Sequence, residues 1–221
     1  MEDSFIFSRV DHTLLRADAT WAEIKALCDE AVLYKTASVC VPPSYVGAID
    51  KEYGRRLTVC TVIGFPLGYS TRPVKEAELA NALLDGAGEF DMVINLGDVK
   101  NGNFQKITDE IASLKKLAGG SVLKVIIETC CLSEEEKIKL CGCVTESGAD
   151  FIKTSTGFGR QGAVLSDIAL FKKYIGPEVK IKAAGGIRTR EDMVAFLEAG
   201  CSRLGTSSAV KILTGGSAGD Y

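Results

Sequence analysis

Short apolar runs alternate with longer amphipathic segments along the whole chain, and this alternation limits the fold more than any other feature. The runs are Arg9–Asp11, Ser38–Val41, Leu57–Phe65, Asp91–Leu96, Val122–Glu128, Phe151–Thr154, Val179–Ala183 and Arg203–Thr206. Between most of them apolar residues recur at helical spacing, over Thr20–Tyr34, Pro73–Asp85, Phe104–Leu117, Ser133–Glu146, Ser166–Tyr174 and Thr189–Glu198. Ser133 with Glu136 has the spacing of a capping box, and Thr189 with Asp192 is a weaker version. Runs that are apolar throughout are buried on both faces, so the helices between them must cover a parallel sheet. A loose internal repeat agrees: Glu146-Ser-Gly-Ala-Asp-Phe-Ile-Lys resembles Glu198-Ala-Gly-Cys-Ser-Arg-Leu-Gly, each a helix end, a glycine and a strand. Eight such units in 221 residues predict an α/β fold, a single-domain (β/α)8 TIM barrel. A doubly wound open sheet is the competing arrangement. No linker, charge run or low-complexity stretch divides the chain, so residues 1–221 read as one barrel domain with residues 214–221 as a flexible tail.

Composition removes several function classes. With 26 basic and 29 acidic residues the net charge is −3, without the basic excess that nucleic-acid binding needs. No apolar stretch reaches the roughly 18 residues of a membrane span. Met1–Val10 holds two acids and no long apolar core, so it is not a signal peptide. The eight cysteines include adjacent Cys130 and Cys131 but no Cys-x-x-Cys pair, which predicts reduced thiols and a cytoplasmic protein. No His, Cys or carboxylate cluster has metal-ligand spacing, so neither metal nor cofactor is expected.

A barrel carries its chemistry at the C-terminal ends of its strands. Two apolar strands there contain a lysine, Lys153 and Lys182. An outward lysine would meet the apolar helix layer, whereas an inward one reaches the barrel mouth. Neighbouring ammonium groups ease each other's deprotonation, and a neutral lysine amine is the nucleophile of Schiff-base chemistry. Gly185-Gly186 and Gly205-Thr206-Ser207-Ser208 end the last two strands, where barrels commonly hold phosphate, and Gly157 can join them. Gly157-Phe-Gly-Arg-Gln-Gly162 matches a dinucleotide fingerprint, but no acidic residue ends a following strand at the required distance, so it is read as a decoy. His12, the only histidine, is read as a structural hydrogen-bonding residue. Spacing alone chooses neither between Lys153 and Lys182 nor between Asp91 and Glu128.

These residues carry a resemblance. Asp11-His-Thr-Leu-Leu15, Val39-Cys-Val-Pro42, Val62-Ile-Gly-Phe-Pro66, Asp91-Met-Val-Ile-Asn95, Phe151-Ile-Lys-Thr-Ser-Thr-Gly-Phe158, Lys182-Ala-Ala-Gly-Gly-Ile-Arg188 and Gly205-Thr-Ser-Ser208 resemble the deoxyribose-phosphate aldolases, in family order from about Val10 to Leu213. The resemblance implies a class I aldolase that reversibly cleaves 2-deoxy-D-ribose 5-phosphate to D-glyceraldehyde 3-phosphate and acetaldehyde, in deoxyribose phosphate catabolism. It implies Lys153 as the Schiff-base lysine, Lys182 as the neighbour that tunes it, and Asp91 as the proton-relay carboxylate. It puts Asp11 and Cys40 in the active-site shell and Thr156 on a sugar hydroxyl. Gly157, Gly185, Gly186, Gly205, Ser207 and Ser208 would hold the phosphate. Some members carry a lysine where Phe158 stands, which leaves Arg188 or Arg160 to supply charge. Some end in a tyrosine that relays a proton, the place of Tyr221 here. The alternative is another phosphate-binding TIM-barrel Schiff-base aldolase or isomerase. The expected partners are a small phosphorylated sugar and further copies of the chain, as a homodimer or homotetramer, with neither nucleic acid nor membrane.

Overall fold

In the computed structural model, which describes residues 1–215, eight parallel strands close into a barrel. A short helix α1 (Asp3–Phe7) precedes β1 (Val10–Thr13), followed by α2 (Trp21–Tyr34), β2 (Ser38–Val41), α3 (Val46–Tyr53) and β3 (Val59–Ile63). Then come α4 (Arg72–Leu84), β4 (Glu89–Val93), α5 (Leu96–Lys100), α6 (Phe104–Ala118), β5 (Val122–Ile126), α7 (Glu134–Glu146) and β6 (Phe151–Lys153). The described chain ends with α8 (Leu165–Tyr174), β7 (Lys180–Ala184), α9 (Arg190–Ala199), β8 (Arg203–Thr206) and α10 (Ala209–Leu213). Each strand pairs with the next, and β8 pairs with β1 through Val10↔Leu204, Asp11↔Gly205 and His12↔Thr206. The open-sheet alternative is thereby removed.

The helices take their positions from the spacing of their apolar residues. Ile24, Leu27, Cys28 and Ala31 put one face of α2 against the strands, and Ile107, Ile111, Leu114 and Ala118 do the same for α6. The outward strand residues they cover include Val39, Val41, Phe90, Met92, Leu123, Val125 and Ile152, all buried. Burying each such side chain is worth about 1.5–3 kcal/mol, so this layer supplies most of the apolar stabilisation. Both expected capping boxes form, and a third, Thr20 with Glu23, starts α2. Among the described residues no helix is long and apolar enough to cross a membrane.

Several expected boundaries shift. β3, β4 and β5 stop at Ile63, Val93 and Ile126, short of Phe65, Leu96 and Glu128, because the chain leaves the sheet at left-handed Gly64 and Glu128 and at Asn95, which caps α5. Helices α1, α3 and α5 were not expected; each is eight residues or fewer, too short for periodicity to declare, whereas α10 is the short helix expected after the eighth strand. Tyr221, and the tail after Gly215, lie outside the described residues.

Candidate active site

Side chains of one strand alternate between the helix layer and the lumen. That alternation sends seven charged groups into the lumen: Asp11 from β1, Glu89 and Asp91 from β4, Lys124 from β5, Lys153 from β6, Lys182 from β7 and Arg203 from β8. Register puts Asp91 beside Lys124 and Lys153 beside Lys182. Closure of the barrel then brings β4 and β1 within reach of β7.

The contacts centre on Asp91. Its Oδ2 accepts from Lys153 Nζ at 2.7 Å and from Lys182 Nζ at 2.6 Å. Its Oδ1 accepts from Lys124 Nζ at 3.0 Å and from the Cys60 thiol at 3.3 Å. Lys182 Nζ also lies 2.5 Å from Asp11 Oδ2, and Lys124 Nζ lies 2.7 Å from Glu89 Oε2. Arg203 donates to Asp11 Oδ1 and, at 2.9 Å, to Glu89 Oε1, while Ser38 Oγ donates to Asp11 Oδ1 at 2.8 Å. Gly205 leaves room for this network, since a β-carbon there would come 3.1 Å from Lys182 Cε.

Burial would raise the Asp11 and Asp91 carboxyls. The surrounding Lys182, Lys124 and Arg203 at Asp11, and Lys124, Lys153 and Lys182 at Asp91, overcome it and hold both below the ordinary carboxylate range. Burial likewise disfavours the ammonium forms of Lys182 and Lys124, yet their carboxylate neighbours raise both above the ordinary lysine range. Lys182 and Lys124 are therefore firmly charged. The lumen holds four cationic side chains against three carboxylates, one positive group in excess.

Above this floor opens a cleft of about 310 Å³. Lys153, Thr156, Gly157, Gly185, Gly186, Arg188, Gly205, Ser207 and Ser208 line it, together with Thr13, Leu15, Phe158, Ala184, Ile187 and Thr206. Gly157, Gly185 and Gly186 have φ of +89°, +79° and +74°, a backbone that L side chains rarely adopt. Gly162, the last glycine of the dinucleotide-like motif, packs on this turn: a β-carbon there would come 2.2 Å from Gly185. Ser208 N donates to Thr206 Oγ1 at 3.2 Å, which shapes the end of β8. Arg188 is exposed at the rim, whereas Arg160 donates to the Cys130 carbonyl and is not part of the wall.

Asp11 and Cys40, expected in the shell around the substrate, lie beneath the cleft and are fully buried. Cys40 packs with Leu15, Cys60 and Val62, and its hydrogen bond with Cys60 lowers its thiol pKa. Pairing of β2 with β3 creates a group that spacing did not show: ligand atoms of Cys40, Cys60 and Asp91 lie within 4.8 Å of one another. These donors suit a soft divalent metal, but the ammonium groups of Lys124, Lys153 and Lys182 on Asp91 oppose a further cation. His12 faces α2, its Nε2 2.7 Å from Glu30, in a structural position.

Lys124, Glu89 and Arg203 were missed by a reading confined to strand ends. A signal existed: Val-Leu-Lys-Val-Ile places one charge at the centre of an apolar strand, and Glu89 and Asp91 share a face at i and i+2.

Comparison with known proteins agrees with this geometry. Residues 5–219 match the model of the DeoC/LacD family aldolases. The chain is 58% identical over 215 residues to a deoxyribose-phosphate aldolase of Clostridium botulinum (strain Alaska E43 / Type E3), covering 97% of each chain. It is 54% identical over 216 residues to the deoxyribose-phosphate aldolase of Clostridioides difficile (strain 630), covering 98% of this chain and 99% of the other. The solved tetrameric deoxyribose phosphate aldolase of Aeropyrum pernix superposes with a TM-score of 0.90 at 33% identity, over 96% of this chain and 91% of that one. With a buried lysine pair on one carboxylate beneath a glycine-lined cleft, and with these matches over nearly its whole length, the chain belongs to the DeoC/LacD family of aldolases.

Proposed function

We propose that this chain cleaves 2-deoxy-D-ribose 5-phosphate reversibly to acetaldehyde and D-glyceraldehyde 3-phosphate through a Schiff base on Lys153. The observation that carries the reading is the shared Asp91 Oδ2: it ties Lys153, the one charged group of the floor that reaches the cleft, to Lys182, which does not reach it.

The chemistry follows from that geometry. The neutral amine of Lys153 attacks the C1 carbonyl, and loss of water from the carbinolamine gives an iminium. The iminium withdraws the electron pair of the C2–C3 bond as the C3 hydroxyl gives up its proton. Glyceraldehyde 3-phosphate leaves, and an enamine remains on Lys153. Protonation at C2 and hydrolysis release acetaldehyde and restore the amine. Asp91 Oδ2 receives a proton from Lys153 when the amine must be neutral, and charged Lys182 on the same oxygen gives up a proton to a step that needs one and, once neutral, takes back the proton that the C3 hydroxyl releases. The excess positive charge of the floor favours the state in which one lysine is neutral. Gly157, Gly185, Gly186, Ser207 and Ser208 hold the phosphate through small residues and backbone N–H groups, and Arg188 adds charge at the rim. Phosphate binding fixes C1 over the amine, a use of remote binding energy for positioning.

Borohydride reduction with acetaldehyde should add a two-carbon group to Lys153, and the protein should release both products from the sugar phosphate with EDTA present. An adduct on Lys182 with Lys153 unmodified would overturn the assignment. Absence of both adduct and products would overturn the function.

A further inference from the structure

Glu128 has no part in the charged floor, and the reaction above leaves it unused. It sits just after β5 in a left-handed conformation, φ +52° and ψ +67°, which is unfavourable for a residue with a β-carbon. Such strain persists only where the surroundings impose it. The side chain is buried, and apart from the Cys130 thiol at 3.9 Å its hydrogen-bond partners among the described residues are both on Thr156. The Thr156 backbone N–H points at both carboxylate oxygens, at 3.4 and 3.3 Å, and Thr156 Oγ1 donates to Oε2 in a short contact. The turn closes over the carboxylate: a β-carbon on Gly159 would come 3.0 Å from Glu128 Oε1.

Thr156 Oγ1 also accepts from Phe158 N–H at 3.0 Å. A hydroxyl has one hydrogen and two lone pairs, and an ionised carboxylate only accepts. The hydrogen is committed to Glu128 and one lone pair to Phe158. One lone pair remains, on a residue that lines the cleft beside Lys153. Toward a ligand, Thr156 can therefore only accept.

We infer that Glu128 is a positioning residue that fixes the hydrogen-bond direction of Thr156, so that the site selects an aldehyde able to donate a hydroxyl hydrogen. The inference rests on the aldolase reading. In the addition direction D-glyceraldehyde 3-phosphate has one hydroxyl outside its phosphate, at C2, so that hydroxyl is the donor Thr156 awaits.

The test compares kcat/KM for addition of acetaldehyde to D-glyceraldehyde 3-phosphate and to 3-oxopropyl phosphate, which lacks that hydroxyl. Wild type should prefer the hydroxylated acceptor. Glu128→Ala should cut the preference by about five- to tenfold, the worth of one hydrogen bond, mainly through KM of the hydroxylated acceptor. Glu128→Gln, whose amide oxygen still accepts from Thr156, should restore most of the preference. An unchanged preference in Glu128→Ala, an equal loss on both acceptors, or failure of Glu128→Gln to restore what Glu128→Ala loses would overturn the inference. Should Glu128→Ala not fold, Thr156→Val decides: a wild-type preference there overturns it, and a lost one supports it. A wild type that uses both acceptors without preference refutes this inference alone, whereas one that uses neither refutes the aldolase reading.

Discussion

The floor and the mouth of the same lumen are built on opposite plans. The floor is made of side chains: Asp11, Asp91, Lys124 and Lys182 are fully buried and arrive from four different strands. The mouth is made largely of backbone, with left-handed Gly157, Gly185 and Gly186 and small Ser207 and Ser208. Buried charges persist only while each is paired, because removing one partner strands the other in a low-dielectric interior. The floor is therefore bound to folding, and most changes there damage structure and chemistry together. The mouth carries few such obligations and can be altered with the fold intact. Lys153 belongs to both, lining the cleft while it donates to Asp91. It is also the charge the floor can lose, since its removal leaves three cations facing three carboxylates.

Lys153→Leu should give the largest effect on activity, a loss of at least ~10⁴-fold in turnover, since the covalent route carries most of the acceleration. Its urea midpoint should stay close to wild type. Residual turnover within a hundredfold of wild type would place the nucleophile elsewhere.

Asp11→Asn should show the reverse pattern, with stability as the first casualty. The change strips charge from a site facing Lys182, Lys124 and Arg203, at a cost of about 3–5 kcal/mol. Urea denaturation measures it, and a cost below about 1 kcal/mol would mean that the floor tolerates unpaired cations. The pH dependence has a definite sign. Asp11 and Asp91 are depressed when folded, so their contribution is complete above the unfolded carboxylate pKa of about 3.9 and fades as pH falls through the lower folded values. Stability should fall below about pH 5, by up to about 1.4 kcal/mol per pH unit for each such carboxylate, and Asp11→Asn should remove one carboxylate's share of that slope. Lys124 and Lys182 are raised, so their share holds below the unfolded lysine pKa and goes only in strong alkali.

How much of this was legible in the sequence follows the same division. Strand order, barrel closure and the mouth were readable, because strand ends with glycine and serine announce turns. Lys153 and Lys182 stand side by side in register, as two lysines on successive strands must if both point inward. Lys124 and Arg203 were not readable from strand ends: each holds a carboxylate on a neighbouring strand and a second one four strands away across the lumen, Asp11 for Lys124 and Glu89 for Arg203, and only closure brings the distant pairs together. Glu128 was visible as an alternative to Asp91, but its service to Thr156 depends on a left-handed backbone that no spacing encodes. Cys40 and Cys60 met because β2 and β3 pair in that register, a fact of strand alignment that apolar runs leave open.

At the mouth, Ser207→Glu puts a carboxylate on an exposed cleft residue and should raise KM for the phosphorylated sugar at least about tenfold, the cost of one unfavourable like-charge contact near a protein surface. KM for unphosphorylated deoxyribose should change little. Equal effects on both substrates would move the phosphate away from the end of β8.

The smallest effect belongs to Arg188. It is the guanidinium of the cleft wall, and Phe158, in edge-to-face contact with Phe65, occupies the position after Gly157. A charge at an exposed rim is screened by water and gains less than a buried one, about 0.2–1 kcal/mol for a pair. Arg188→Gln should accordingly raise KM for the sugar phosphate by about two- to fivefold, leave kcat unchanged, and leave unphosphorylated deoxyribose unaffected. Added salt should shrink the difference between the two proteins, since the Debye length contracts from about 8 Å at physiological ionic strength to about 3 Å at 1 M. A variant with wild-type KM at low salt would assign phosphate affinity to the glycine and serine backbone alone. A loss well above tenfold that ignored salt would mean that the guanidinium turns inward onto the phosphate, making the mouth depend on a paired buried charge as the floor does.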